Sequence, residues 1–474
     1  MSDIHMGQLL EGRVTSRFES AMSRRDALKT LGVVSATGAL GLTLGDFAFA
    51  APLFQRRPNV VFILSDDHRW DYLSCLGHPF LETRNMDRIA REGVHFTNAF
   101  VTTSLCSPSR ASFLTGQYAH THGVKNNLTV WRDENITFLE LFKQAGYDTS
   151  FIGKWHMPGR LPTLRGVDQF ITFTVQGGQG RYFNCPLIID GVETPSRKPY
   201  ITEELTDLAI EFIEKERENP FCLYLSHKAV HHQFLPPPEL SHIYDDVELT
   251  VPDEADPWIT MTNGNTFAGT LGPLKHHLRN YCEALVALDL QIGRVLDKLD
   301  ELGIADNTIV VYAGDNGYFW GEHRLIDKRW SYEEAIRIPF MVRYPKLVKK
   351  PGRRAEQMIL NIDLAPSLLE MAGLPIPDMM EGQSIKPFLV KESSPGRDAW
   401  LYEYFKEFPY NVPEHNAVRT RTHIYIEYEG PRPPELFDLV HDPRQLRNIA
   451  GTPEGEPLVA QLSQTLRELM SEAQ

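Results

Sequence analysis

The 474-residue chain has no paired Cys-x-x-Cys spacing; its five cysteines stand apart at positions 75, 106, 185, 222 and 282. That argues against a zinc knuckle and gives no sign of a disulfide framework. The chain also lacks an excess of basic residues: its net charge is −14, and residues 1–50, with five acids and five bases, contribute none of it. An acidic chain of this kind is a poor general binder of nucleic acid or anionic membrane, so a site for an anionic substrate must be a local positive focus. No apolar run is long and bulky enough for a membrane span, and no stable membrane insertion is expected. What is present, 42% hydrophobic and 23% charged residues, is the composition of a folded globular protein. The length allows one large domain with a smaller appendage, or two to three domains.

Residues 1–50 read as an address. "SRRDALK" (23–29) precedes a Gly- and Ala-rich apolar run, and Ala48 and Ala50 form an A-x-A cleavage signal. Paired arginines ahead of a mild apolar segment resemble a twin-arginine export signal, with Ala27 where a bulky apolar residue is usual. This reading makes the twin-arginine translocase a transient partner and the location periplasmic or exported from a bacterium. Met22 is a candidate start, and the mature chain would begin near Ala51.

From Asn59 onward apolar strand-like runs alternate with helical patterns, the signature of an α/β fold with a mostly parallel sheet. Over 278–303, Tyr281, Leu285, Leu288, Ile292, Val295, Leu296 and Leu299 recur at helical spacing and read as core. Four strand-like runs end in polar groups. "NVVFILSDD" ends in Asp66 and Asp67, and "YDTSFIGKWHM" delivers Lys154 and His156. "FCLYLSHKAVHH" delivers His227, His231 and His232, and "TIVVYAGDNG" delivers Asp315 and Asn316. In open α/β sheets ligands bind at that edge. Asp66, Asp67, Asp315 and Asn316 offer hard oxygens, which suit Ca²⁺ or Mg²⁺ rather than Zn²⁺. Arg110, Lys154, His156, His231 and Lys328 would surround them with positive charge, an arrangement for sulfate or phosphate.

"SLCSPSRASFLTG" (104–116) places Cys106 at the start of a helix, with Pro108 in its first turn, Ser107 or Ser109 as cap and Gly116 as its end. Ala111, Phe113 and Leu114 supply its apolar face. Two readings fit this spacing: a small buried residue before a helix, or a nucleophile over an anion site with Arg110 one turn on.

"CSPSRASFLTG" resembles the C-x-P-S-R signature of the type I sulfatases, within the alkaline-phosphatase-like superfamily. "SDDHRWD", "GKWH", "AGDNG", "DKRWSYEEAIRIPF" and the late "ELFDLVHDPRQLRNIA" resemble further family segments in the expected order, over roughly residues 58–450. The resemblance implies a catalytic domain over 51–375 with a large, mostly parallel, helix-flanked sheet. It also implies a C-terminal α+β subdomain over 376–474, whose segment 401–430 would form a small antiparallel sheet packed by the final helix. It implies that a formylglycine-generating enzyme, another transient partner, oxidises Cys106 to formylglycine (3-oxoalanine). The hydrated aldehyde would attack the sulfur of a sulfate monoester and expel the alcohol, and sulfate would leave by elimination. Asp66, Asp67, Asp315, Asn316 and residue 106 would ligate the cation, Ca²⁺ or else Mg²⁺. Arg110 and Lys154 would hold the diol, and His156 would take the proton that drives elimination. His231 and Lys328 would grip the sulfate, one of them protonating the alcohol; His232 competes with His231, because Gln233 replaces the family's proline in "VHHQFLPP". His323 and His415 are candidate substrate contacts, whereas His68, His120, His122, His276 and His277 read as surface or supporting groups. The substrate implied is a sulfated carbohydrate or an aryl sulfate, leaning toward N-acetylglucosamine or related amino sugars. Competing readings are a phosphonate monoester or phosphodiester hydrolase, against which Asn316 argues, and an unconverted glycan-binding relative.

Overall fold

The strand Asn59–Ser65 is buried at six of its seven positions, because both its faces lie against helical layers. In this computed structural model, which describes residues 57–162, 164–215, 218–259 and 272–472, that strand is the centre of a ten-stranded sheet. It pairs in parallel with Thr308–Gly314 on one side and Phe221–Ser226 on the other; Asp148–Gly153 and Gln169–Thr172 continue the parallel array. Phe340–Arg343 and Val94–Phe96 extend one side, and Leu187–Ile189 and Val192–Thr194 the other, all antiparallel; Arg353–Ala355 then closes the first side in parallel with Val94–Phe96. The fold is the large, mostly parallel, helix-flanked sheet expected.

Register explains why the site lies where it does. Ser65 stands opposite Gly314, and Gly153 opposite Ser226, so these strands end together and release Asp66, Asp315, Lys154 and His227 at one edge. The helix Leu274–Glu301 covers one face with the seven core positions read from its spacing, all buried. Its Asp289 also accepts from the backbone N–H groups of Asn85 and Met86 at the start of the helix Arg84–Glu92. Among the described residues no helix is long and apolar enough to cross a membrane. The signal region 1–50 and the start near Ala51 lie outside the described residues.

The C-terminal sheet, Ala399–Tyr404, His415–Thr420, His423–Tyr428 and Glu435–Asp438, is antiparallel throughout. Period-2 alternation sends Leu401, Val418, Tyr425 and Leu436 against Leu462 and Leu466 of the final helix Glu456–Glu472. The opposite face places Trp400, Tyr402 and Ile424 against Phe100, Leu105, Phe319 and Trp330, so one core runs from the small sheet into the segments around Cys106 and Lys328.

His120 ties these parts together, 2.8 Å from Glu403 and 3.6 Å from Glu381. Burial alone would lower its pKa, but the two carboxylates outweigh burial and hold it at about 10. A raised folded pKa gives stability that is full below the unfolded value of about 6.5 and is lost as pH rises through about 10. His120→Gln is therefore expected to cost ~1 kcal/mol near neutral and acid pH, modest because the ring is partly exposed, and almost nothing above about pH 10. Urea unfolding of both proteins across pH checks this; a gap that widens with pH contradicts it.

Candidate active site

Cys106 is the first residue of the helix Cys106–Thr115, and Gly116 ends that helix at φ 71° as expected. The capping expectation fails. Neither serine caps the N-terminus, because both are taken by tertiary partners: Ser107 Oγ donates to His156 O at 2.5 Å, and Ser109 Oγ accepts from Asn361 Nδ2 at 3.1 Å, while Asn127 Oδ1 accepts from Ser107 N at 3.0 Å instead. The amphipathic expectation fails for the same reason, since all ten residues are buried. The Cys106 thiol is fully buried with Sγ 3.6 Å from Asp66 Oδ1, and burial pushes its pKa far above the usual thiol range. An unaltered thiol here is a poor nucleophile.

Three carboxylates from two strand ends converge beside it. Asp66, Asp67 and Asp315 each place an oxygen within 4.8 Å of the others'. Asp67 N donates to Asp315 Oδ1 at 3.0 Å, which requires Asp67 to take φ 55°, in the left-handed region. Asn316 Nδ2 donates to Asp67 Oδ1 at 2.7 Å and to Gly317 O at 2.9 Å. That orientation leaves Asn316 Oδ1, like Asp67 Oδ2, buried without a hydrogen-bond partner among the described residues. Burial raises the Asp67 pKa to about 7; Lys328 opposes the rise, and Asp66 and Asp315 add to it. Burial and Asp66 raise that of Asp315 as well. For Asp66 burial also acts upward, but Lys154, Arg110 and Lys328 overcome it and hold the carboxyl well below the usual range. Carboxylates crowded in a dry site, with two oxygen acceptors unmet, fit a divalent cation held by Asp66, Asp67, Asp315 and Asn316.

The expected cationic groups surround this cluster. Arg110 is 1% exposed; its Nη2 is 2.7 Å from Asp315 Oδ2, and its Nη1 donates to Ser226 Oγ at 2.5 Å and to Lys154 O at 3.1 Å. Lys154 Nζ is paired with Asp66, and Lys328 Nζ with Asp67. His231 Nε2 is 3.8 Å from Asp67 Oδ2, and a ring nitrogen of His231, a carboxylate oxygen of Asp66 and Cys106 Sγ lie within 4.8 Å of one another. His232 Nδ1 is 3.3 Å from His231 Nε2, so the two histidines lie in one site, with His231 the nearer to the carboxylates.

A narrow cavity of about 50 Å³ opens onto Cys106. His231, His232 and Lys328 line it, together with residues that the sequence reading did not single out: Asn127, Gln179, Tyr318, Asp327, Arg329 and Tyr410. The signal for Asp327 and Arg329 was their position on either side of Lys328; all that marked Gln179 was a glycine-rich turn. His323 and His415 are not among the described residues lining it. His323 stacks on Tyr332 at 4.2 Å. His415 is 1% exposed, bonded through Nδ1 to Pro413 O and enclosed by Trp330, Tyr402, Tyr404 and Tyr428, because its strand turns that face into the shared aromatic core.

Comparison with known proteins agrees with this geometry. Residues 58–374 match the sulfatase family model, and residues 321–472 match the N-sulphoglucosamine sulphohydrolase C-terminal model. An N-acetylglucosamine-6-O-sulfatase of Bacteroides thetaiotaomicron is 32% identical over 87% of this chain and 86% of its own. A solved structure described as a complex with its substrate, D-glucosamine-2-N,6-O-disulfate, is 30% identical, covers 88% of this chain and 98% of its own, and has a TM-score of 0.82. A phosphonate monoester hydrolase of Agrobacterium radiobacter, 22% identical over 88% of this chain and 96% of its own with a TM-score of 0.71, shares the fold.

Proposed function

This chain belongs to the sulfatase family and hydrolyses sulfate monoesters, and from that premise we propose an exported, Ca²⁺-dependent enzyme that desulfates an amino sugar. The paired Arg24 and Arg25 ahead of an apolar run support export. Oxygen-only donors support Ca²⁺, with Mg²⁺ the alternative. The amino sugar is supported by the relatives described above and, in this chain, by Asp327 and Arg329 on either side of Lys328 in the cavity wall. Asp327 and Arg329 are ion-paired with each other, and Glu407 holds the guanidinium as well, so they form a fixed polar group against which a sugar hydroxyl can hydrogen-bond, a recognition that a plain aryl sulfate does not need.

The bound cation would supply positive charge against which an oxyanion is held. Oxidation of Cys106 to formylglycine would supply an electrophilic carbon at the head of the helix. Arg110, fixed by Asp315 and Ser226, and Lys154, fixed by Asp66, orient residue 106 and hold positive charge beside it. His156 is the group placed to take a proton released there. Lys328 Nζ and His231 Nε2, both beside Asp67, face the sulfate, and one of them protonates the departing alcohol oxygen.

A panel of sulfated monosaccharides and aryl sulfates, read by sulfate release, tests the substrate. Glucosamine 6-sulfates are expected to be preferred; a preference for unsubstituted aryl sulfates overturns the amino-sugar reading. Asp327→Asn, which keeps the size but removes the charge, is expected to raise KM for the sugar sulfate ~10-fold or more, the worth of a charge-assisted hydrogen bond. Because Asp327 also lies 3.6 Å from Lys328 Nζ, some loss of kcat/KM is expected on p-nitrophenyl sulfate as well, but a smaller one, and an equal loss on both substrates would remove Asp327 from sugar recognition.

A further inference from the structure

Gln179 touches both polar residues at the end of the strand Asp148–Gly153. Its Oε1 is 2.6 Å from Lys154 Nζ, and its Nε2 is 2.7 Å from His156 Nε2. An ammonium group has donors and no acceptor, so the atom facing Lys154 must be the amide oxygen. The NH₂ group then faces His156, and it too only donates. His156 Nε2 must therefore accept, which makes the ring neutral with its proton on Nδ1. Nδ1 itself is buried without a hydrogen-bond partner among the described residues, so none of them competes with this tautomer. The backbone is shaped to deliver this contact. Gln176, Gly177, Gly178 and Gly180 all have φ between 55° and 87°, and a Cβ on Gly178 would lie 3.3 Å from His156 Cα. The turn can press against His156 because residue 178 has no side chain, and residue 179 then reaches the cavity that Cys106 also lines.

We infer that Gln179 is a positioning residue that sets the tautomer of His156: it holds the ring neutral with the proton on Nδ1, so that the single lone pair of the ring is on Nε2, and its amide N–H must yield that lone pair when His156 takes a proton in sulfate-ester hydrolysis. This rests on the proton-accepting role given to His156 above, whereas the tautomer can be read without any turnover. Gln179→Glu separates the two contacts of the amide. It keeps the length and the acceptor for Lys154 but replaces the donor facing His156 with an acceptor, which should move the ring proton to Nε2.

Long-range ¹H–¹⁵N correlation on histidine-labelled full-length protein reads this directly, with the His156 signals identified by their loss in His156→Gln. The wild type is expected to carry its proton on Nδ1 and Gln179→Glu on Nε2. Gln179→Leu, which removes the donor without adding charge, should give a mixture and serves if the glutamate variant does not fold. In converted enzyme Gln179→Glu should lower kcat ~10²-fold, the scale of a misplaced general base, and Gln179→Leu only in proportion to the tautomer it loses, about two- to tenfold, with KM changed less than about threefold in both. A wild-type proton on Nε2, or a glutamate variant that keeps both the wild-type tautomer and its kcat, overturns the inference; the latter is what a residue serving only to anchor Lys154 would give. If the tautomers are as expected but no sulfate ester is hydrolysed, the functional reading has failed and the positioning has not.

Discussion

Replacing Cys106 by alanine is expected to lower sulfate release by roughly 10⁴-fold or more while leaving the fold intact. The side chain is small and fully buried, and its recorded polar contact is the 3.6 Å approach to Asp66 Oδ1, so its loss removes little packing. Circular dichroism and thermal melting should therefore change little, by about 1 kcal/mol at most. A second expectation follows from the burial that keeps the thiol protonated. Unconverted wild-type protein should be nearly as inactive as the alanine variant, so activity across preparations should be proportional to the fraction converted at residue 106. Peptide mass spectrometry gives that fraction. Substantial turnover by Cys106→Ala would move the nucleophile elsewhere in the site.

Removing Asp315 is expected to abolish both activity and cation retention. Asp315 Oδ1 accepts from Asp67 N, and Oδ2 pairs with Arg110, so Asp315→Ala also leaves a buried guanidinium with only the longer, 3.4 Å approach to Asp66 Oδ2 as its ion pair, at a cost of ~1–3 kcal/mol. Asp315→Asn is the safer variant, since its carbonyl oxygen still accepts from Asp67 N while one negative charge is gone. Elemental analysis after gel filtration should find about one divalent cation per wild-type chain. In Asp315→Asn the affinity should fall ~10²-fold, with activity falling in step. Chelation of the wild type should remove activity, and Ca²⁺ should restore it better than Mg²⁺. An alanine or asparagine variant that folds and keeps a full cation complement would remove Asp315 from the ligand set.

The strand ends were the most legible part of the sequence. Asp66, Asp315, Lys154 and His227 each follow a largely buried strand of six or seven residues, and parallel pairing leaves such strands no choice but to end at a common edge. The helix Leu274–Glu301 was legible for a similar reason, a long unbroken period. The head of the Cys106 helix was not, because local capping rules assume solvent at the N-terminus, and here His156 O and Asn127 Oδ1 compete for the same groups. His415 looked available because aromatic residues surround it in sequence; alternation along its strand turned it into the core instead. Gln179 could not be singled out at all. Three glycines of its turn announce a tight bend, but its partners, Lys154 and His156, belong to a strand end more than twenty residues earlier.

The most direct test of the account compares initial rates of one preparation, of known conversion at residue 106, on N-acetylglucosamine 6-sulfate and on a phosphonate monoester. Sulfate release is followed by ion chromatography and alcohol release by absorbance. The account predicts that kcat/KM for the sulfate ester exceeds that for the phosphonate by ~10² or more, since the site was built around one oxyanion and its leaving alcohol, and that both activities scale with conversion. A higher kcat/KM for the phosphonate, or sulfate release at full rate from protein whose residue 106 is still cysteine, would contradict it.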